Sequence, residues 1–164
     1  MKIKKTAFMG LFLAIALILS YVETLIPLSL GIPGIKLGLA NLAVVLALYE
    51  YGWTEALLLN MMRILLSGFL FGNPFTILYS MAGAAGSFLA MLLFKKVGWF
   101  SVTGVSMVGG ICHNVSQLMV AFWVLETTGI FFYAPVLLAA GAVTGFFNGR
   151  LAEEVVKYWR KQTI

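Results

Sequence analysis

The stretch that decides the fold is Trp53–Phe71, "WTEALLLNMMRILLSGFLF". A helix needs roughly 20 mostly apolar residues to cross a bilayer core. This run has that length, with Glu55 near its start and one arginine, Arg63, in its middle. The rest of the chain repeats the pattern. Of 164 residues, 62% are hydrophobic and 10% are charged, and the mean hydropathy is +1.01. A soluble domain uses about 25% charged residues to clothe its exterior. This chain has too few, so lipid is the solvent it expects.

Cutting the sequence at its charges, prolines and glycines predicts an all-α integral membrane protein, one transmembrane domain over residues 1–164. The spans fall at about 6–25, 36–49, 53–71, 74–94, 99–125 and 131–149. The second is short for a full crossing. Residues 150–164, "RLAEEVVKYWRKQTI", form a basic tail, expected as a helical continuation at the membrane surface. The opening "MKIKK" has the charge of a signal peptide. Its apolar run continues to about Leu25 with no small-residue cleavage site, which predicts a retained first helix.

With the N-terminus in the cytoplasm, Lys2, Lys4, Lys5, Lys95, Lys96, Arg150, Lys157, Arg160 and Lys161 all fall on that side, and Lys36 alone on the other. This asymmetry predicts a multi-pass plasma-membrane protein with both termini cytoplasmic. Trp53, Trp99, Tyr158 and Trp159 fall near cytoplasmic boundaries, where amphipathic rings settle.

Polar residues inside spans are costly and should face a bundle interior or a cavity. The fifth span carries Thr103, Ser106, Gly110, His113, Asn114 and Gln117 at three- and four-residue steps. The third carries Asn60, Arg63 and Ser67, the fourth Thr76, Tyr79 and Ser80, and the first Ser20, Glu23 and Thr24. An arginine at mid-membrane costs at least roughly 2.5 kcal/mol unless paired or hydrated. Arg63 therefore either pairs with Glu23 or a neighbouring carbonyl, or contacts an anion in a polar cavity. His113 is either a satisfied interior histidine or a ligand contact, and Asn114 and Gln117 on its stripe point to a site. Glu50 and Glu55 read as solvated residues at the inner start of the third helix, and Glu126 as a surface residue of an outer turn.

Small residues recur every four positions at Gly141, Gly145 and Gly149, at Gly10 and Ala14, at Ala16 and Ser20, and at Ala82 and Gly86. Such rows let helices approach closely in lipid. They serve internal packing or, on the first helix, docking of another membrane protein.

Much chemistry is missing. There is no GxxxxGK[ST], HExxH, CxxC or GxSxG motif. "GIPGIKLGLANL", Gly31–Leu42, spaces its glycines unlike a dinucleotide loop. All six acidic residues are glutamate, and one cysteine, Cys112, excludes a disulfide framework within the chain. The basic residues cluster between apolar runs, unlike a nucleic-acid groove. No catalytic residue, metal or cofactor is expected, so the chain does not read as an enzyme. Pro33 and Gly34 read instead as a turn back into the membrane, with Lys36 at a helix start where an anion could be held.

With six spans, the polar fifth helix and "PGIKLGLANLAVVLALYEYG" together, the chain resembles the Gx transporter family, also labelled heptaprenyl diphosphate synthase component I. That family is similar to the substrate-binding S-components of energy-coupling factor transporters. The resemblance covers essentially the whole chain, and "PGIKLGLAN" is its most specific piece. It implies six membrane helices that capture a small nutrient near the outer face, beneath a loop here formed by Pro27–Lys36. It also implies that Gly10, Ala14, Ala16 and Ser20 dock a transmembrane coupling subunit attached to ATPases. Catalytic prenyl diphosphate synthases carry aspartate-rich motifs, and this chain has no aspartate.

The leading expectation is a substrate-binding uptake protein for a carboxylate- or phosphate-bearing metabolite. Its cavity is expected among the third to sixth helices, with Lys36, Asn41, Arg63, Asn73, Tyr79, His113, Asn114 and Gln117 as substrate-binding residues. The rival is a non-catalytic membrane accessory subunit in isoprenoid, quinone or redox metabolism, whose polar stripes would pair with one another and leave no cavity. A channel would need a ring of repeated polar residues, which is lacking.

Overall fold

A computed structural model describes residues 2–25 and 38–162. The loop Pro27–Lys36, with the candidate Lys36, lies outside the described residues. Among those described are six α-helices and no strand: α1 Lys2–Leu25, α2 Asn41–Glu50, α3 Trp53–Phe71, α4 Pro74–Val97, α5 Val102–Leu125 and α6 Ala134–Gln162. A 3-10 turn, Thr128–Tyr133, leads into α6. Five of these helices, all but α2, are long and apolar enough to cross a membrane.

The helix ends follow local chemistry. Pro74 begins α4 because the first helical position needs no N–H, and the Asn73 side chain accepts the Thr76 N–H at 2.9 Å as its cap. Ser101 caps α5 by accepting the Gly104 N–H at 3.1 Å, so that helix starts at Val102 rather than Trp99. In α4 the helix runs past Phe94 to Val97 and carries Lys95 and Lys96 in its last turn, where cations offset the helix dipole.

α2 differs most from expectation. It begins at Asn41, not at residue 36, because Gly38 has φ of +68° and breaks any helix through it. Gly38 to Ala40 instead make a turn, in which the Gly38 carbonyl accepts the Asn41 N–H at 2.9 Å. Ten residues rise about 15 Å, half a bilayer core. α2 is apolar all round and buried from Ala43 to Leu48, as a helix without a lipid or water face must be.

α5 and α6 make the closest approach. A methyl placed on Gly141 would lie 2.6 Å from the Gly110 carbonyl oxygen, and one on Gly149 would lie 2.6 Å from Thr103 Cα. Only glycine lets the two backbones come so near. The glycine row therefore packs the bundle internally.

α6 continues without a break through the basic tail. Ala152 and Val156 are buried in the core, and Trp159 meets Phe8 and Phe12 edge-on at 5.8 Å. The tail thus packs into the bundle instead of lying apart on the membrane surface, because its residues 152, 156 and 159 form one apolar helical stripe.

That end of the bundle collects the charges. Lys5 pairs with Glu55, Arg160 approaches Glu50 at 3.9 Å, and Lys95 donates to the Leu48 carbonyl at 2.5 Å. Glu50 and Glu55 each meet a cation here and stay partly exposed. The outward surface is apolar, with Phe69, Trp123 and Phe132 all strongly exposed, which is the exterior a lipid-facing bundle presents.

Candidate functional site

The opposite end holds a polar cavity of about 190 Å3. It lies at the N-terminal side of α2, a helix that spans about half a bilayer core. Five helices and the turn before α2 line it: Ser20, Glu23 and Thr24 of α1, Gly38 of the turn and Asn41 of α2, Arg63, Ser67 and Phe71 of α3 with Gly72 at its end, Thr76 and Ser80 of α4, and His113 of α5. α6 contributes no lining residue among those described, and α1 contributes three.

Arg63 is the charged centre. It is only 8% exposed, and its Nη2 donates to Asn60 Oδ1 one turn earlier at 2.8 Å. Its buried Nε–H has no hydrogen-bond partner. Neither does the Ser20 hydroxyl. A buried donor without an acceptor costs about 1–3 kcal/mol, and more when charged. Both residues line the cavity, while the two unpartnered atoms themselves are buried.

Glu23 plays a different part. Its Oε1 accepts the Leu39 N–H at 2.6 Å, while Asn148 on α6 donates to the Gly38 carbonyl at 2.6 Å. α1 and α6 therefore grip the two sides, N–H and C=O, of the single Gly38–Leu39 peptide group in the turn that enters α2. The turn fixes Asn41, which is half-buried and faces both the main cavity and a water-sized polar pocket of about 10 Å3 against Asn148, Ser106 and Thr144.

The candidates from the sequence separate into groups. Asn41, Arg63 and His113 come together at the cavity. His113 packs against α4 at Gly83, where a methyl would lie 2.6 Å from the imidazole Cε1. Asn114 is buried and donates across to the Leu137 carbonyl of α6 at 2.7 Å, a helix-to-helix clamp. Gln117 is buried, Tyr79 is half-buried and Asn73 is exposed at the α4 cap. None of these four lines the cavity.

On α1, Gly10 and Ala14 are exposed, whereas Ala16 and Ser20 are buried. Gly10 and Ala16 are about one and two-thirds turns apart, so the two pairs face different ways. Ser20 points into the bundle and lines the cavity.

Residues 12–155 match the family described as heptaprenyl diphosphate synthase component I. The chain belongs to that family. Neither a curated protein nor a solved structure matches it. In this component I family member the matched region takes in every cavity residue, from Ser20 to His113, and the Asn148 anchor.

Sequence reasoning passed over Ser67, Thr76, Ser80 and Ser20 as ligand contacts. A signal was present: Arg63 and Ser67, and Thr76 and Ser80, are pairs four residues apart, each on one helical face.

Proposed function

We propose that this protein is a membrane substrate-binding protein that takes up a small anionic metabolite bearing a carboxylate or phosphate. The observation that carries this reading is Arg63, a buried arginine with an unpartnered Nε–H, which lines a cavity rich in polar side chains inside an otherwise apolar bundle. Arginine presents five N–H donors in a planar fork suited to carboxylate and phosphate oxygens. Ser20, Asn41 and His113 would orient the ligand. Glu23 also lines the cavity, where its carboxylate acts on Arg63 through charge as well as accepting the Leu39 N–H.

In this reading six segments sit in the plasma membrane with both termini cytoplasmic. The gathering of Lys5, Lys95, Lys96, Lys157 and Arg160 at one end of the bundle supports that orientation, and it puts the cavity toward the outside. The protein is an S-component-like binder without catalytic chemistry of its own. A transmembrane coupling subunit with ATPases would energise it and would meet α1 on its exposed Gly10 and Ala14. The test is ligand-dependent thermal stabilisation of the purified protein by carboxylate- and phosphate-bearing metabolites. R63A should abolish the stabilisation, and unchanged stabilisation in R63A would rule the assignment out.

The family description favours a second reading, an accessory subunit of an isoprenoid-diphosphate synthase. A soluble prenyl synthase whose turnover depends on this protein, with R63A fully competent, would favour that reading over uptake.

A further inference from the structure

The end of the bundle opposite the cavity carries an open groove of about 610 Å3. Leu48 and Gly52 at the α2–α3 junction, Trp53, and Leu92, Lys95 and Lys96 near the end of α4 line it. Leu48 belongs to the last turn of α2, where carbonyls have no N–H of their own helix to accept. Lys95 supplies one at 2.5 Å, with its ammonium 4.5 Å from the centre of the Tyr49 ring. This holds the Lys95 charge at the groove with N–H donors to spare. Lys96 beside it is exposed.

The acids nearby are paired, and Glu50 also acts on Lys95 through its charge. Glu55 pairs with Lys5 and Glu50 with Arg160. No ion pair among the described residues includes Lys95 or Lys96. An apolar trough is thus flanked by two ammonium groups, and none of its lining residues is acidic. Trp53 is 58% exposed at the same edge, and indoles settle at headgroup depth.

We propose that this groove seats an anionic phospholipid, its phosphodiester between Lys95 and Lys96 and one acyl chain against Leu92 and Trp53. Charge complementarity selects this occupant. A zwitterionic lipid would bring a quaternary ammonium toward two lysines, whereas a lipid with net negative charge gains from both. The site is independent of the cavity and of what that cavity binds.

The test is native mass spectrometry of the purified full chain titrated with phosphatidylglycerol or phosphatidylcholine. The wild type should retain phosphatidylglycerol preferentially. K96Q should lower that retention about fivefold, the worth of one lysine near an anionic surface. K96R should preserve it, and K161Q, an exposed lysine in the last turn of α6, should leave it unchanged. Equal retention of the two lipids overturns the proposal, as does wild-type behaviour of K96Q or an equal loss in K161Q. A protein dimer that K96Q dissolves also overturns it, since a second copy would then fill the groove.

Discussion

Replacing Gly145 with alanine tests the packing of the bundle at its tightest seam. A methyl on Gly145 would lie 2.6 Å from the Ser106 carbonyl oxygen and 2.7 Å from Met107 Cα. Both are backbone atoms of α5, so no side chain can rotate away. Ordinary contact begins at 3.4 Å, so the helices must part by 3.4 minus 2.6, or 0.8 Å, at that point. Gly110 against Gly141 and Gly149 against Thr103 repeat the contact above and below, which makes the pair move as rods. Overpacking of this kind costs about 1–3 kcal/mol, equivalent to a fall in Tm of about 3–10 °C for a chain of this length. The displacement would also stretch the 2.7 Å bond from Asn114 to the Leu137 carbonyl and carry His113 with α5. Differential scanning fluorimetry in detergent reads the change, with G10A as the control, since nothing lies within 4 Å of a methyl there. G145A melting together with wild type and G10A would refute the packing argument.

Other substitutions probe the turn and the cavity wall. G38A must place a side chain at φ of +68° and 3.2 Å from Asn41 Nδ2, so it should lose about 1–2 kcal/mol, read as a lower melting temperature. N148A removes one of the two donors to the Gly38 carbonyl, leaving the Asn41 N–H, and should cost about 0.5–1.5 kcal/mol in the same assay. Combined with G38A, it should cost less than the sum, because both variants act on one turn. G83A pushes on the His113 ring, a side chain that can yield, so it should weaken ligand-dependent stabilisation while lowering Tm less than G145A does.

The helices were legible because lipid imposes a length and a hydropathy on every span. Trp53–Phe71 comes out with the bounds its sequence predicts, and α1 ends at Leu25 as expected. α2 did not, because the apolar run from Leu37 hides the backbone handedness of Gly38, which only the fold reveals. Among the site residues, Arg63 and His113 stood out as costly groups at membrane depth. Asn114 stood on the same stripe as His113, yet one residue turns a helical side chain by about 100°, enough to face α6 instead of the cavity. Ser20 was legible both as a small packing residue and as a polar residue facing the interior or a cavity. Its spacing from Ala16 fits close packing and cavity lining equally, and only the neighbouring helices decide between them.

The central claim is that Arg63 holds an anion in the cavity at the end of α2. The most direct measurement is mass spectrometry of small molecules released on denaturing the purified protein, wild type beside R63A, each first shown folded by its melting transition. A carboxylate- or phosphate-bearing molecule is expected, close to equimolar with the wild-type protein and absent from R63A. An equal yield from both proteins, or release of neutral molecules alone, would contradict it.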